Sequence, residues 1–187
     1  MIYLLILLAI ISCKAPNLGH RTGESKYFPE NSLEQLNNSL LYLEHLPHFR
    51  YWEFDVRETI DSVLIVFHDE SLKRMTGIKG KVSKTKYAEL PLLWGIYKIP
   101  TLQEVLDQLH NRATKPIMVE IKRIKTKEAK HNLINMVDKL RDNHNIYYLA
   151  FKKNFKRSFK NRKYWCPLLK VVKQARKHKK NLCQNYK

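Results

Sequence analysis

Cysteine is scarce in this chain: Cys13, Cys166 and Cys183 are all there is. Three thiols at those spacings form neither a disulfide framework nor a zinc site. A long hydrophobic run is also missing. Residues 2–11 are uniformly apolar, but ten residues are too few to span a bilayer, so they read as the apolar core of a signal peptide. No internal repeat of residue identity is visible. Acid is the third absence, and it is local. From Lys152 to Lys187 there are fourteen Lys and Arg and no Asp or Glu. Of the net charge of +18, about +4 therefore belongs to residues 1–151, an ordinary globular balance. Packing the tail as inward strands would bury unpaired ammonium groups, so residues 152–187 read as a solvated basic extension, helical at most over 167–180.

What is present centres on residues 50–69. In Tyr51-Trp52-Glu53-Phe54-Asp55-Val56 the apolar residues Trp52, Phe54 and Val56 alternate with Glu53 and Asp55, the period of a strand. Two carboxylates spaced i and i+2 on one face repel each other and are costly to bury, unless a hard divalent cation sits between them. The next run, residues 63–69, is apolar throughout until it ends in His68-Asp69. It reads as a strand covered on both faces that carries an imidazole at its C-terminal edge. A solvated acidic pair on an edge strand with a surface histidine is the plainer alternative.

The rest of the chain alternates strands with helices. Ala15 to Arg21 reads as a short extended segment. Asn31 or Ser32 can cap a helix whose apolar positions are Leu33, Leu36, Leu40, Leu41 and Leu43. Residues 70–99 read as a long loop with a short helical piece near 84–90. Thr101 can cap a second helix, with Glu104 three residues on and Leu102, Val105, Leu106 and Leu109 as its apolar stripe. Residues 117–122 form a strand that puts Glu120 and Lys122 on one face. A helix over about 126–142 and a strand over 146–151 follow. Such an order argues for a parallel α/β sheet with five strands by residue 151. His20-Arg21, Glu53/Asp55, His68 and Glu120/Lys122 each fall near the end of a different strand. In a (β/α) barrel those ends converge on one mouth, where chemistry is kept.

These residues also carry a resemblance. Gly19-His20-Arg21, Pro29-Glu30-Asn31-Ser32-Leu33, Glu53-Phe54-Asp55-Val56, Thr59-Ile60-Asp61, His68-Asp69, Leu72-Lys73-Arg74-Met75-Thr76-Gly77, Ile99-Pro100-Thr101-Leu102 and Glu120-Ile121-Lys122 stand in the order seen in the glycerophosphodiester phosphodiesterase family. As an ordered set over Gly19 to Lys122 they are specific. The resemblance implies a TIM (β/α)8-barrel, here incomplete with about its first five strands. It implies divalent-metal-dependent hydrolysis of glycerophosphodiesters to an alcohol and glycerol 3-phosphate. Carried over by position, Glu53, Asp55 and Glu120 would bind the metal, Mg²⁺ or Ca²⁺. His20 and His68 would be the acid/base pair, and Arg21 and Lys122 would contact the phosphate. Thr22 and Ser62 stand where the family usually has glycine.

The resulting division is 1–13 leader, 14–151 partial barrel and 152–187 basic tail. Ser12 before Cys13 resembles a bacterial lipoprotein processing site, which implies an exported, periplasmic or membrane-anchored protein lipidated at Cys13. No Lys or Arg precedes the apolar run, so a mis-assigned start or a first strand stays open as another reading. The expected partner is a small-molecule glycerophosphodiester, with membrane association through the lipid and self-association through open strand edges. Two other readings remain: a shortened, inactive relative, and an interaction protein whose tail binds anionic membrane or nucleic acid.

Overall fold

The structure, a computed structural model, describes residues 16–23, 25–140 and 144–150. The leader, Cys13 and the basic tail lie outside the described residues. β1 (Trp52–Glu58), β2 (Leu64–Val66), β3 (Ile117–Arg123) and β4 (Ile146–Ala150) form one sheet in the order β2-β1-β3-β4. β1 and β3 pair parallel, as do β3 and β4. Trp52, Phe54 and Val56 share a face with Ile117, Val119 and Ile121, and all six are buried in the main core. Glu53 and Asp55 take the opposite face, as the alternation requires.

Among the described residues, four α-helices accompany the sheet. α1 (Leu33–Asn38) starts at Ser32, whose hydroxyl accepts from the Gln35 amide at 3.0 Å, and it widens into a π turn over Ser39–Leu43. That widening rotates Leu41, expected on the apolar stripe, out to 61% exposure. α2 (Lys73–Thr76) is a single turn. α3 (Leu102–Leu109) opens on a reciprocal cap: the Glu104 amide donates to Thr101 Oγ1 at 3.2 Å, and the Thr101 amide donates to Glu104 Oε2 at 2.8 Å. Its stripe of Leu102, Val105, Leu106 and Leu109 is buried. α4 (Lys127–Leu140) buries Ala129, Leu133, Val137 and Leu140 on the same core. Beneath β1, the buried Glu44 carboxylate ties three elements together. Its Oε1 accepts from Trp52 Nε1 at 2.7 Å, the Thr114 amide at 2.8 Å and the Lys115 amide at 3.0 Å.

Three expectations need correcting. β2 is not a parallel barrel strand. It runs antiparallel to β1, with Val56 opposite Val66 and Glu58 opposite Leu64, joined by a turn at Thr59–Val63. Its outer edge is covered by Pro100 and Thr101 rather than by another parallel strand. Residues 70–99 carry the expected helical piece at Tyr87–Glu89 but are more than a long loop. Ile65, Phe67, Leu72, Met75, Val82, Leu93 and Ile99 form a second buried core, so this segment is a small lobe with two 3₁₀ turns, Val82–Lys84 and Tyr87–Glu89. Finally, no strand precedes β1 among the described residues, where a turn at His20–Thr22 stands instead, and the described strands number four, not five. No helix among the described residues is long and apolar enough to cross a membrane.

Candidate active site

Register brings the acidic residues together. Asp55 on β1 lies opposite Glu120 on β3, and Glu53 lies two residues back on the same face. One oxygen from each of Glu53, Asp55 and Glu120 falls within 4.8 Å of the others. These positions are near the middle of the two strands, not at their C-terminal ends as the sequence suggested, because β1 runs on to Glu58 to pair with β2. Beyond Val56 the ladder slips by one residue, leaving Lys122 without a cross-strand neighbour on β1. A bulge of this kind re-aims a side chain. Here the Lys122 ammonium lies 3.0 Å from Asp55 Oδ1 and 2.5 Å from Glu120 Oε1.

The turn before α1 closes the other side. Gly19 passes so near β1 that a Cβ there would lie 2.1 Å from the Tyr51 carbonyl oxygen, and the Glu53 amide donates to the Gly19 carbonyl at 2.8 Å. Arg21 (φ 52°), Thr22 (φ 67°) and Gly23 (φ 116°) then follow in positive-φ conformations. A β-branched residue in this region is strained, and strain of this kind gathers where a site is pre-organised. The turn points the Arg21 amide at Glu53 Oε2 (2.9 Å) and places His20 Nε2 3.7 Å from the same oxygen. Asn31 (φ 61°) donates from Nδ2 to Asp55 Oδ2 at 2.9 Å. The Arg21 guanidinium donates to Glu30 at 2.9 Å and approaches Asp55 to 3.9 Å.

Charge is concentrated in a dry place. Burial, then the neighbouring Asp55 carboxylate, pushes Glu53 up to about 8. Its Oε1 is buried and accepts no hydrogen bond. Burial opposes ionisation of Lys122, yet the hydrogen bond to Glu120 and the charge of Asp55 outweigh it and raise the ammonium's pKa. An orphaned carboxylate oxygen among three converging acids is what a hard divalent cation satisfies, so Glu53, Asp55 and Glu120 fit a divalent metal ion.

His68 reaches the site by another route. Because β2 returns alongside β1, the Phe67 amide donates to the Asp55 carbonyl at 2.9 Å and His68 follows directly. His68 Nδ1 lies 2.6 Å from Asp69 Oδ1. A carboxylate can only accept, so the imidazole keeps its proton on Nδ1 and leaves Nε2 to exchange one. Arg74 then bridges Asp69 (2.5 Å) to Glu30, which holds Arg21, so His68 and Arg21 stand at the two ends of one chain of ion pairs. Burial works against the Glu30 and Asp69 carboxylates, but hydrogen bonds from Arg74 and from Arg21 or His68 keep both below the usual range. His20, Arg21, Phe28, Arg74, Met75 and Trp94 line a cavity of about 380 Å³, and His68 is not among its lining residues.

Sequence reasoning placed none of Glu30, Asn31, Arg57, Asp69 and Arg74 in the site, and gave Asn31 only the part of a possible helix cap. All but Arg57 stood inside the ordered motifs, and that was the only signal that could have tied them to the site. Arg57 shares the inner face with Asp55, and its guanidinium donates to the His68 carbonyl and to Glu70, both at 2.9 Å.

Comparison with known proteins identifies the family. A profile described as the glycerophosphoryl diester phosphodiesterase family matches residues 20–186. Human lysophospholipase D GDPD1 is 29% identical over 132 residues, covering 58% of this chain and 41% of that protein. A glycerophosphodiester phosphodiesterase of Bacillus altitudinis is 35% identical over 96 residues, 46% of this chain and 39% of that one. The crystal structure of glycerophosphodiester phosphodiesterase from Agrobacterium tumefaciens superimposes with a TM-score of 0.62 at 27% identity, over 78% of this chain and 62% of that one. The chain thus spans about two fifths of these curated relatives, and its sheet is part of a TIM-barrel fold. With the ordered motifs, the acidic cluster and the fold in agreement, the chain belongs to the glycerophosphoryl diester phosphodiesterase family.

Proposed function

We propose that the chain hydrolyses glycerophosphodiesters to an alcohol and glycerol 3-phosphate with a divalent ion, Mg²⁺ or Ca²⁺, held by Glu53, Asp55 and Glu120. The observation that carries this reading is the convergence of those three carboxylates within 4.8 Å, beside a cavity lined by His20 and Arg21. The bound ion would offset charge on the non-bridging phosphoryl oxygens. The Arg21 guanidinium adds positive charge from the cavity wall, and Lys122, held by Asp55 and Glu120, does so from the sheet. Attack on a phosphodiester needs one proton removed from the nucleophile and one given to the leaving oxygen. Two imidazoles suit those tasks near neutral pH. His20 stands against Glu53 at the cavity wall, and His68 keeps Nε2 available through its bond to Asp69.

A second substrate reading has its own support. Phe28, Met75 and Trp94 give the cavity an apolar wall, and one relative is a lysophospholipase D, so an acyl-bearing glycerophosphodiester would be accommodated. The test is turnover of glycerophosphocholine and of lysophosphatidylcholine, with Mg²⁺ or Ca²⁺, by wild type, His20→Ala and His68→Ala. Each histidine variant should lose about two to four orders of magnitude in rate while still binding the ion. A doubly substituted variant that turns over either substrate at the wild-type rate would remove the imidazoles from the mechanism.

A further inference from the structure

The lobe formed by residues 70–99 presents an exposed tip beyond the part of it that lines the cavity. The Leu93 and Tyr97 backbones pair, and Trp94, Gly95 and Ile96 form the tip of the resulting hairpin. Trp94 sits at φ 49° and Gly95 at φ 74°. Asn or Gly is the usual occupant of a left-handed turn position; a tryptophan there is strained. Burial does not repay that strain, since Trp94 is 46% exposed and Ile96 is 72% exposed. The Trp94 amide donates to the Met75 carbonyl at 2.9 Å, which fastens the tip to the end of α2, where Ile78 is 56% exposed. Across the cavity Tyr27 is 68% exposed, and Phe28 packs edge-on against Tyr97 at 6.1 Å. Large apolar side chains therefore stand around the cavity rim. Four exposed lysines, Lys26, Lys73, Lys79 and Lys81, flank them, and none forms an ion pair among the described residues.

We propose that this rim is a docking surface for an anionic phospholipid membrane, with Trp94 and Ile96 entering the headgroup layer and the lysines meeting its charge. Aromatic and aliphatic tips ringed by lysine are the composition that binds such an interface, since apolar insertion and charge attraction act together. A protein partner would call for a polar rim with paired hydrogen bonds rather than exposed ammonium groups that meet no carboxylate among the described residues. The surface opens beside the cavity, because Trp94 contributes both to the exposed tip and to the cavity wall.

The experiment is vesicle flotation of the full chain, which requires no turnover and so stands or falls apart from the hydrolytic reading. Vesicles of phosphatidylcholine alone are compared with vesicles containing about one third phosphatidylglycerol. The basic tail also attracts anionic vesicles, so binding is read in low salt and again in about 0.5 M salt, where charge-only attraction is screened. Ile78→Glu with Ile96→Glu removes the apolar contacts without touching the cavity lining, and Leu41→Glu on the π turn after α1 is the control at a distant exposed leucine. Wild type and Leu41→Glu should float with the anionic vesicles at both salt concentrations. The double variant should partition about tenfold less or weaker still in high salt, with an unchanged circular dichroism spectrum and melt. Equal flotation of the double variant would overturn the proposal, as would an equal loss in Leu41→Glu. It would also fall if wild type self-associated without lipid and the double variant did not, since the rim would then be an interface between copies.

Discussion

Glutamine in place of Glu53 separates the electrostatics of the site from its chemistry. The Glu53 carboxylate is buried, with one oxygen bonded to the Arg21 amide and the other without a partner. Burial and the Asp55 charge raise its pKa from 4.5 to about 8. The folded chain thus holds a proton on Glu53 that the unfolded chain has released, and folding stability must fall as pH rises between those two values. At about 1.4 kcal/mol per unit, the ceiling on that loss is about 5 kcal/mol. In Glu53→Gln the side-chain amide keeps an acceptor for the Arg21 backbone but cannot ionise. The metal-free variant should therefore match wild type near pH 5 and exceed it near pH 8 by about 2 kcal/mol or more, roughly 4–8 °C in melting temperature for a domain of this size. Adding Mg²⁺ or Ca²⁺ at pH 8 should raise the wild-type melt, because an ion that binds only the folded state stabilises it. It should leave the variant nearly unmoved. Thermal melts of both proteins at three pH values, with and without the ion, decide the matter. Parallel pH profiles, or an equal response to the ion, would refute the reasoning.

Two stability predictions rest on other parts of the fold. Ser62 occupies the turn between β1 and β2 at φ 64°, so Ser62→Gly should stabilise the chain by about 1 kcal/mol by relieving left-handed strain, seen as a higher denaturant midpoint at unchanged slope. Glu44→Leu should destabilise it by about 2–4 kcal/mol, because the Trp52 indole and two loop amides lose their acceptor in a buried place; an unchanged midpoint would show that water replaces the carboxylate without loss.

The part of the site that was legible in the sequence is the part written in short-range periodicity. Alternation across Trp52–Val56 separated the core face from the acidic face, and the spacing of Thr101 and Glu104 announced the cap of α3. The family resemblance then supplied the identity of the fold. The direction of β2 was not legible. A short apolar run looks the same in a parallel strand and in the return arm of a hairpin, and the Thr59–Ser62 turn was the only local sign of reversal. Nor did the lobe at residues 70–99 show itself, because its core is assembled from single residues such as Leu72, Val82 and Leu93 with no period to detect. Glu30, Asn31 and Arg74 act through partners five to forty-four positions away, and Arg57 through a backbone carbonyl and a carboxylate eleven and thirteen positions on. Contacts of that range leave no trace in local patterning.

The pairing of Asp55 with Glu120 joins residues sixty-five positions apart. During synthesis Glu53 and Asp55 leave the ribosome well before their partner, while the intervening lobe can close on its own second core. Non-local pairing is slow because loop-closure entropy is spent before contacts form. The acidic cluster is therefore among the last features to come together as the chain folds. A divalent ion would encounter a competent site only once β1 and β3 are in register, so ion uptake would report the completion of folding rather than its start.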